Sequence, residues 1–140
     1  MHLTGSCYCG QLKYFVDLGS PDEARTSICH CKNCRKFTGG NYGITTKVLR
    51  SSFHYTTGSP QQHEADNGSG VTLHRDFCGT CGSGILEYGA NAGDFIYIFY
   101  GSFDDPAQLR CGPKGEFFTR YRAEWMPPVP NTFQKGEIKE

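Results

Sequence analysis

Along this chain hydrophobic and polar residues alternate over short stretches, and nowhere do apolar residues keep a helical spacing for more than about a dozen positions. In residues 11–17, Leu12, Tyr14 and Val16 fall on one side and Lys13, Phe15 and Asp17 on the other. That is the two-residue period of a strand with one buried face. Runs of the same kind occupy residues 43–50, 53–57, 71–77, 84–88, 94–103 and 117–125. Gly, Pro, Asn and Asp punctuate them. Residues 67–70 read Asn-Gly-Ser-Gly, an exposed turn, and residues 127–130 end the last strand with proline. Six or seven short strands with few helices predict a mainly β fold of stacked antiparallel sheets. With neither repeat nor linker in sight, residues 1–130 read as one domain and residues 131–140 as a polar tail that frays.

Composition agrees with a globular domain. At 140 residues the chain is long enough to bury roughly two-thirds of its unfolded surface. Fourteen basic and fourteen acidic residues cancel, so there is no general attraction to phosphate backbones or anionic lipid. The densest basic segment, residues 32–36, lies among cysteines. Nucleic acid is therefore not expected as a partner. No apolar run approaches the ~20 residues of a membrane helix, and residues 1–5 lack the basic start and apolar core of a secretory signal. The expectation is a cytoplasmic protein without a membrane segment.

A reducing compartment changes the reading of the eight cysteines, because thiols at short spacing there point to metal rather than disulfides. Cys7 and Cys9 form C-x-C, Cys29, Cys31 and Cys34 form C-x-C-x-x-C, and Cys78 and Cys81 form C-x-x-C, while Cys111 stands alone. Glycine follows Cys9, Cys78 and Cys81, where a tight turn about a metal needs it. Seven clustered sulfurs divide as four plus three. A closed structural zinc takes four protein ligands, and a catalytic zinc takes three plus an open position. One partition joins Cys7, Cys9, Cys78 and Cys81 and leaves Cys29, Cys31 and Cys34 around the open metal. A rival joins Cys31 and Cys34 to Cys78 and Cys81, leaving Cys7, Cys9 and Cys29 for Cys111 to close. Spacing alone does not separate them.

Four segments carry a family resemblance: Gly5-Ser6-Cys7-Tyr8-Cys9-Gly10, Cys29-His30-Cys31-Lys32-Asn33-Cys34-Arg35, Phe77-Cys78-Gly79-Thr80-Cys81-Gly82-Ser83 and Gly101-Ser102-Phe103-Asp104-Asp105-Pro106. Trp125 suits the family's late tryptophan. The chain resembles the glutathione-dependent formaldehyde-activating enzymes, the centromere-protein-V-like domain family. The resemblance implies an Mss4-like β architecture and the first partition. A structural zinc would sit on Cys7, Cys9, Cys78 and Cys81, and a second zinc on Cys29, Cys31 and Cys34, two Zn²⁺ per chain. It also implies carbon–sulfur lyase chemistry that joins glutathione and formaldehyde, hence a small-molecule thiol and aldehyde as partners. Three thiolates on Zn²⁺ leave about −1 net charge, which suits a soft substrate thiolate better than hydroxide.

Other residues enter with smaller roles. His30 adjoins two candidate ligands and is read either as a proton shuttle or donor at the site or as a structural histidine. Arg35 is read as a salt-bridge residue or a carboxylate anchor. Tyr97, Phe99 and Tyr100 are expected to pack in a sheet, and Asp104 and Asp105 to form a turn before Pro106. His54, His63 and His74 are expected on surfaces, and Cys111 as a spare thiol. The alternatives to the lyase are a zinc enzyme with another carbonyl substrate and a non-catalytic binding module on a zinc scaffold. The sequence does not set the oligomeric state.

Overall fold

The computed structural model describes residues 1–110 and 112–137. Among these described residues eleven strands form two sheets: β1 (His2–Ser6), β2 (Lys13–Asp17), β3 (Arg25–Cys29), β4 (Gly43–Leu49), β5 (Phe53–Thr57), β6 (Gln61–Asp66), β7 (Thr72–Phe77), β8 (Gly84–Gly89), β9 (Phe95–Phe99), β10 (Gly115–Phe117) and β11 (Phe133–Gln134). One α-helix, α1 (Lys32–Thr38), lies between β3 and β4. The smaller sheet has the order β1-β2-β5 and the larger one β11-β10-β3-β4-β9-β8-β7-β6. All pairings are antiparallel except β10 with β3 and with β11. Among the described residues no helix is long and apolar enough to cross a membrane.

Strand alternation supplies the core. Leu3, Leu12, Tyr14 and Val16 from the region of the small sheet join Val48, Leu86, Ile96 and Ile98 of the large one in a single buried cluster. Gly5 lies opposite Tyr14 in the β1–β2 register. A methyl group on Gly5 would fall 2.1 Å from the Tyr14 ring, whose hydroxyl is fixed 2.7 Å from Ser102 Oγ. Gly5→Ala is therefore expected to lower stability by about 1–3 kcal/mol through overpacking. Denaturant melting checks this, and an unchanged midpoint would contradict the packing argument.

Several elements depart from the alternation pattern, each for a visible reason. Buried Thr26 and Thr46 bond each other at 2.8 Å, so β3 turns a hydroxyl inward without penalty and reads as polar. Every residue of β6 is exposed, and its backbone pairing with β7 carries it at the sheet edge. The strand expected over residues 117–125 ends at Phe117, because Phe118 takes a left-handed backbone at φ 54° and a 3₁₀ turn follows over Thr119–Tyr121. The tail expected to fray from residue 131 is instead tied down as far as it is described. Phe133 and Gln134 pair with Gly115 and Glu116, and Thr119 N–H donates to Lys135 C=O.

Candidate metal centre

The first sulfur cluster joins two turns. Cys7 and Cys9 follow β1, and Cys78 and Cys81 follow β7. Gly10 (φ 81°) and Gly82 (φ 78°) close the turns in a left-handed conformation, donating N–H to Cys7 C=O at 3.1 Å and Cys78 C=O at 2.8 Å. The four sulfurs all lie within 4.8 Å of one another. Cys9 Sγ is 3.6 Å from Cys7 Sγ and 3.7 Å from Cys78 Sγ. These distances exceed a disulfide bond of about 2.05 Å. They match the roughly 3.8 Å edge of a tetrahedron with metal–sulfur bonds of about 2.3 Å. Backbone N–H groups already point at sulfur, from Leu12 to Cys7 at 3.2 Å and from Thr80 and Cys81 to Cys78 at 3.4 and 3.5 Å.

The second cluster sits where β3 runs into α1. Cys29 ends the strand, Cys31 caps the helix by accepting the Cys34 N–H at 3.4 Å, and Cys34 lies one turn in. Their three sulfurs also lie within 4.8 Å of one another. Hydrogen bonds from the Cys29 and Cys34 thiols, with backbone N–H groups adding to them, hold Cys31 down to about 2. The Cys31 thiolate in turn pushes Cys29 up to about 12. Cys34 is driven upward by Cys29 and Cys31, then by burial and by the Glu87 charge. Only one of three crowded sulfurs ionises readily, so holding all three as thiolates calls for a cation among them. Both donor sets fit a soft divalent ion and are consistent with zinc. The sulfurs thus gather as Cys7, Cys9, Cys78, Cys81 and as Cys29, Cys31, Cys34. Among the described residues none of these groups joins Cys31 and Cys34 to Cys78 and Cys81.

His30 lies between two of these cysteines yet faces away. Alternation turns it to the interior, where it is 1% exposed and its Nε2 is 2.7 Å from Glu116 Oε1. Glu116, in the neighbouring β10, is fully buried. Burial alone would raise its pKa. Hydrogen bonds from Gln134, His30 and the Val129 N–H, with the Arg122 charge, outweigh that and hold the carboxyl below its ordinary range.

Beside α1 an open cleft of about 820 Å³ includes Lys36 and Phe37 of the helix, Arg75 and Phe77 of β7, Ser83 and Phe99. Phe37 stacks on Phe99 at 5.4 Å, and the Arg75 guanidinium lies 4.6 Å above Phe37. Arg75 Nε donates to Glu87 Oε2 at 2.9 Å with both side chains nearly buried. Burial pushes the Glu87 carboxyl upward despite Arg75. The sheet register sets Arg75 beside Glu87, Glu87 beside Tyr97 and Tyr97 beside Lys47, on the face that also carries Cys29.

The remaining sequence candidates fall as follows. Arg35 is exposed in the last turn of α1. Tyr97 and Phe99 belong to β9, and Tyr100 opens a 3₁₀ turn. Asp104 accepts the Ser6 hydroxyl at 2.8 Å, and Asp105 precedes the 3₁₀ turn Pro106–Leu109. His54 and His63 are exposed, while His74 is half-buried and stacks on Tyr88. Trp125 is 73% exposed. Cys111 lies outside the described residues. Sequence reasoning missed Glu116, Arg75 and Glu87. The alternation of residues 71–77 and 84–88 contained the last two, but only strand register shows that they meet.

Fold and site define a small two-sheet β domain with two cysteine clusters that could hold metal ions. The family model for glutathione-dependent formaldehyde-activating enzyme matches residues 2–121, and the chain belongs to this family. A Halomonas elongata protein, provisionally named a glutathione-dependent formaldehyde-activating enzyme, is 31% identical over 113 residues, spanning 74% of this chain and 67% of its own. A Rhodobacter sphaeroides protein of known crystal structure shares the fold. It has a TM-score of 0.58 at 20% identity, covering 79% of this chain and 97% of its own.

Proposed function

We propose that the chain is a zinc-dependent carbon–sulfur lyase or synthase acting on the adduct of a glutathione-like thiol with a small aldehyde. The carrying observation is the unequal count of sulfurs. One cluster has four members, and the other, among the described residues, has three. Cys7, Cys9, Cys78 and Cys81 hold a structural zinc in this reading, and Cys29, Cys31 and Cys34 a second one with a position left for an outside ligand. Zinc bound there would lower the pKa of a substrate thiol.

In this reading the open cleft beside α1 receives the substrate. Phe37, Phe77 and Phe99 give the cleft apolar wall, and the Arg75–Glu87 pair beneath it fixes Phe37 through the guanidinium. In the forward reaction a carbon–sulfur bond forms, the carbonyl π bond opens, and the thiol proton ends on the former carbonyl oxygen. The reverse restores thiol and aldehyde. Support comes from the family name, which pairs glutathione with formaldehyde.

The test follows formaldehyde loss with purified protein and glutathione, measured above the spontaneous rate. The rate is expected to require the thiol, to vanish when a chelator removes the metal, and to return with zinc. Loss that needs no thiol, or that survives complete removal of metal, would contradict the proposal.

A further inference from the structure

The structure assigns Glu116 as a positioning residue for the three-cysteine cluster, coupling metal retention there to docking of the C-terminal segment. The inference rests on the reading that this cluster holds a metal. Glu116 is fully buried and spends its two oxygens on opposite tasks. Oε1 faces His30 Nε2 at 2.7 Å. An ionised carboxylate offers only lone pairs, so the shared proton comes from the imidazole. Oε2 takes donors from the later chain: the Gln134 side-chain amide at 2.7 Å, the Val129 N–H at 2.9 Å and Arg122 at 3.4 Å. Arg122 also donates to Gln134 Oε1, closing the network.

The held residue matters because of its neighbours. His30 separates Cys29 from Cys31, and its own N–H donates to Phe117 C=O at 3.1 Å. Ring and backbone are therefore both pinned to β10, one residue from each of two sulfurs. Freedom at His30 would become freedom in the direction of those sulfurs. Among the described residues the Glu116 network does not reach Cys7, Cys9, Cys78 or Cys81, whose turns are tied by their own bonds, Tyr8 N–H to Ser83 Oγ at 2.9 Å and Thr80 Oγ1 to Gln11 Oε1 at 2.6 Å, so the effect of releasing it is confined to one cluster.

Glu116→Gln separates the two tasks. With three donors on one side, the new amide turns its oxygen to them and its NH₂ to His30. Docking of the C-terminal segment survives, but His30 Nε2 now meets a donor. To accept from it, the ring must carry its proton on Nδ1, which is buried and, among the described residues, without a hydrogen-bond partner. The hold on His30 is lost while the fold stays.

The experiment titrates zinc out of the full chain with a colorimetric chelator and records thiolate-to-cobalt charge-transfer bands after Co²⁺ loading. Two metals in the wild-type protein test the underlying reading separately. In Glu116→Gln the affinity of the three-cysteine cluster is expected to fall about 10–100-fold, with altered cobalt bands, while the four-cysteine cluster is unchanged. Wild-type affinity and spectrum, or equal loss from both clusters, would overturn the assignment. Should that variant fail to fold, Gln134→Ala at the exposed sheet edge removes one donor from Oε2. Selective weakening of the same cluster supports the assignment, and parity at both clusters overturns it.

Discussion

Cys78→Ser is expected to unfold the domain. Cys78 is 2% exposed, and its sulfur lies 3.7 Å from that of Cys9, 69 residues earlier. In the proposed assignment a metal there staples β1 to the β7–β8 turn. Closing a loop of that length costs on the order of 4 kcal/mol in the cross-link model. A structural zinc in a small domain contributes about 10–16 kcal/mol. The metal term exceeds the closure cost several-fold, and it is as large as the roughly 5–15 kcal/mol by which whole domains are stable. The serine hydroxyl can still accept from the backbone N–H groups of Thr80 and Cys81 that point at the sulfur, so what the variant loses is the fourth thiolate. Circular dichroism with zinc analysis checks the outcome, which should be loss of the melting transition and of bound zinc. A variant that melts like the wild type with full metal content would remove the structural role.

Cys31→Ser is expected to give the opposite profile, a folded and inactive protein. Serine is among the best helix caps, so its hydroxyl can replace the sulfur that accepts the Cys34 N–H at the start of α1. What it cannot replace is the thiolate, the group its neighbours hold most strongly ionised in that cluster. The second metal should be lost and thiol-dependent aldehyde turnover should fall more than about 10²-fold, beyond what loss of an outer partner causes. Bound zinc should drop from two per chain to one, and the melting transition should persist. Full turnover in this variant would remove the three-cysteine cluster from the chemistry.

How far the sequence foretold this molecule depends on where each signal is stored. Cysteine spacing is local, and so the C-x-C, C-x-C-x-x-C and C-x-x-C elements were legible at once. Pairing the first with the last needs residues 7 and 78 in one place, which spacing leaves open and only the folded chain shows, with those four sulfurs within 4.8 Å of one another. Strands with one buried face, such as β2 and β9, announced themselves by alternation. The edge strand β6, exposed throughout, carries no such pattern. The helix α1 spans seven residues, too few for helical period to register, and its cap is a cysteine. Phe118 hid the end of β10, because its left-handed backbone is not written in an aromatic residue. Glu116 was invisible for a different reason. Its partners stand at positions 30, 122, 129 and 134, and only the parallel pairing of β10 with β3 and β11 brings them together. Adjacency left His30 readable either as a donor at the site or as a structural histidine, and alternation carries it to the buried side.

The proposed chemistry depends on one difference, a metal enclosed by protein sulfur and another that is not. Anomalous diffraction at the zinc absorption edge on crystals of the loaded protein reads it directly. The account predicts two peaks, one among Cys7, Cys9, Cys78 and Cys81, the other among Cys29, Cys31 and Cys34 with a fourth ligand that is not a side chain of the protein. A single peak, or a second peak ringed by four protein ligands, would contradict it.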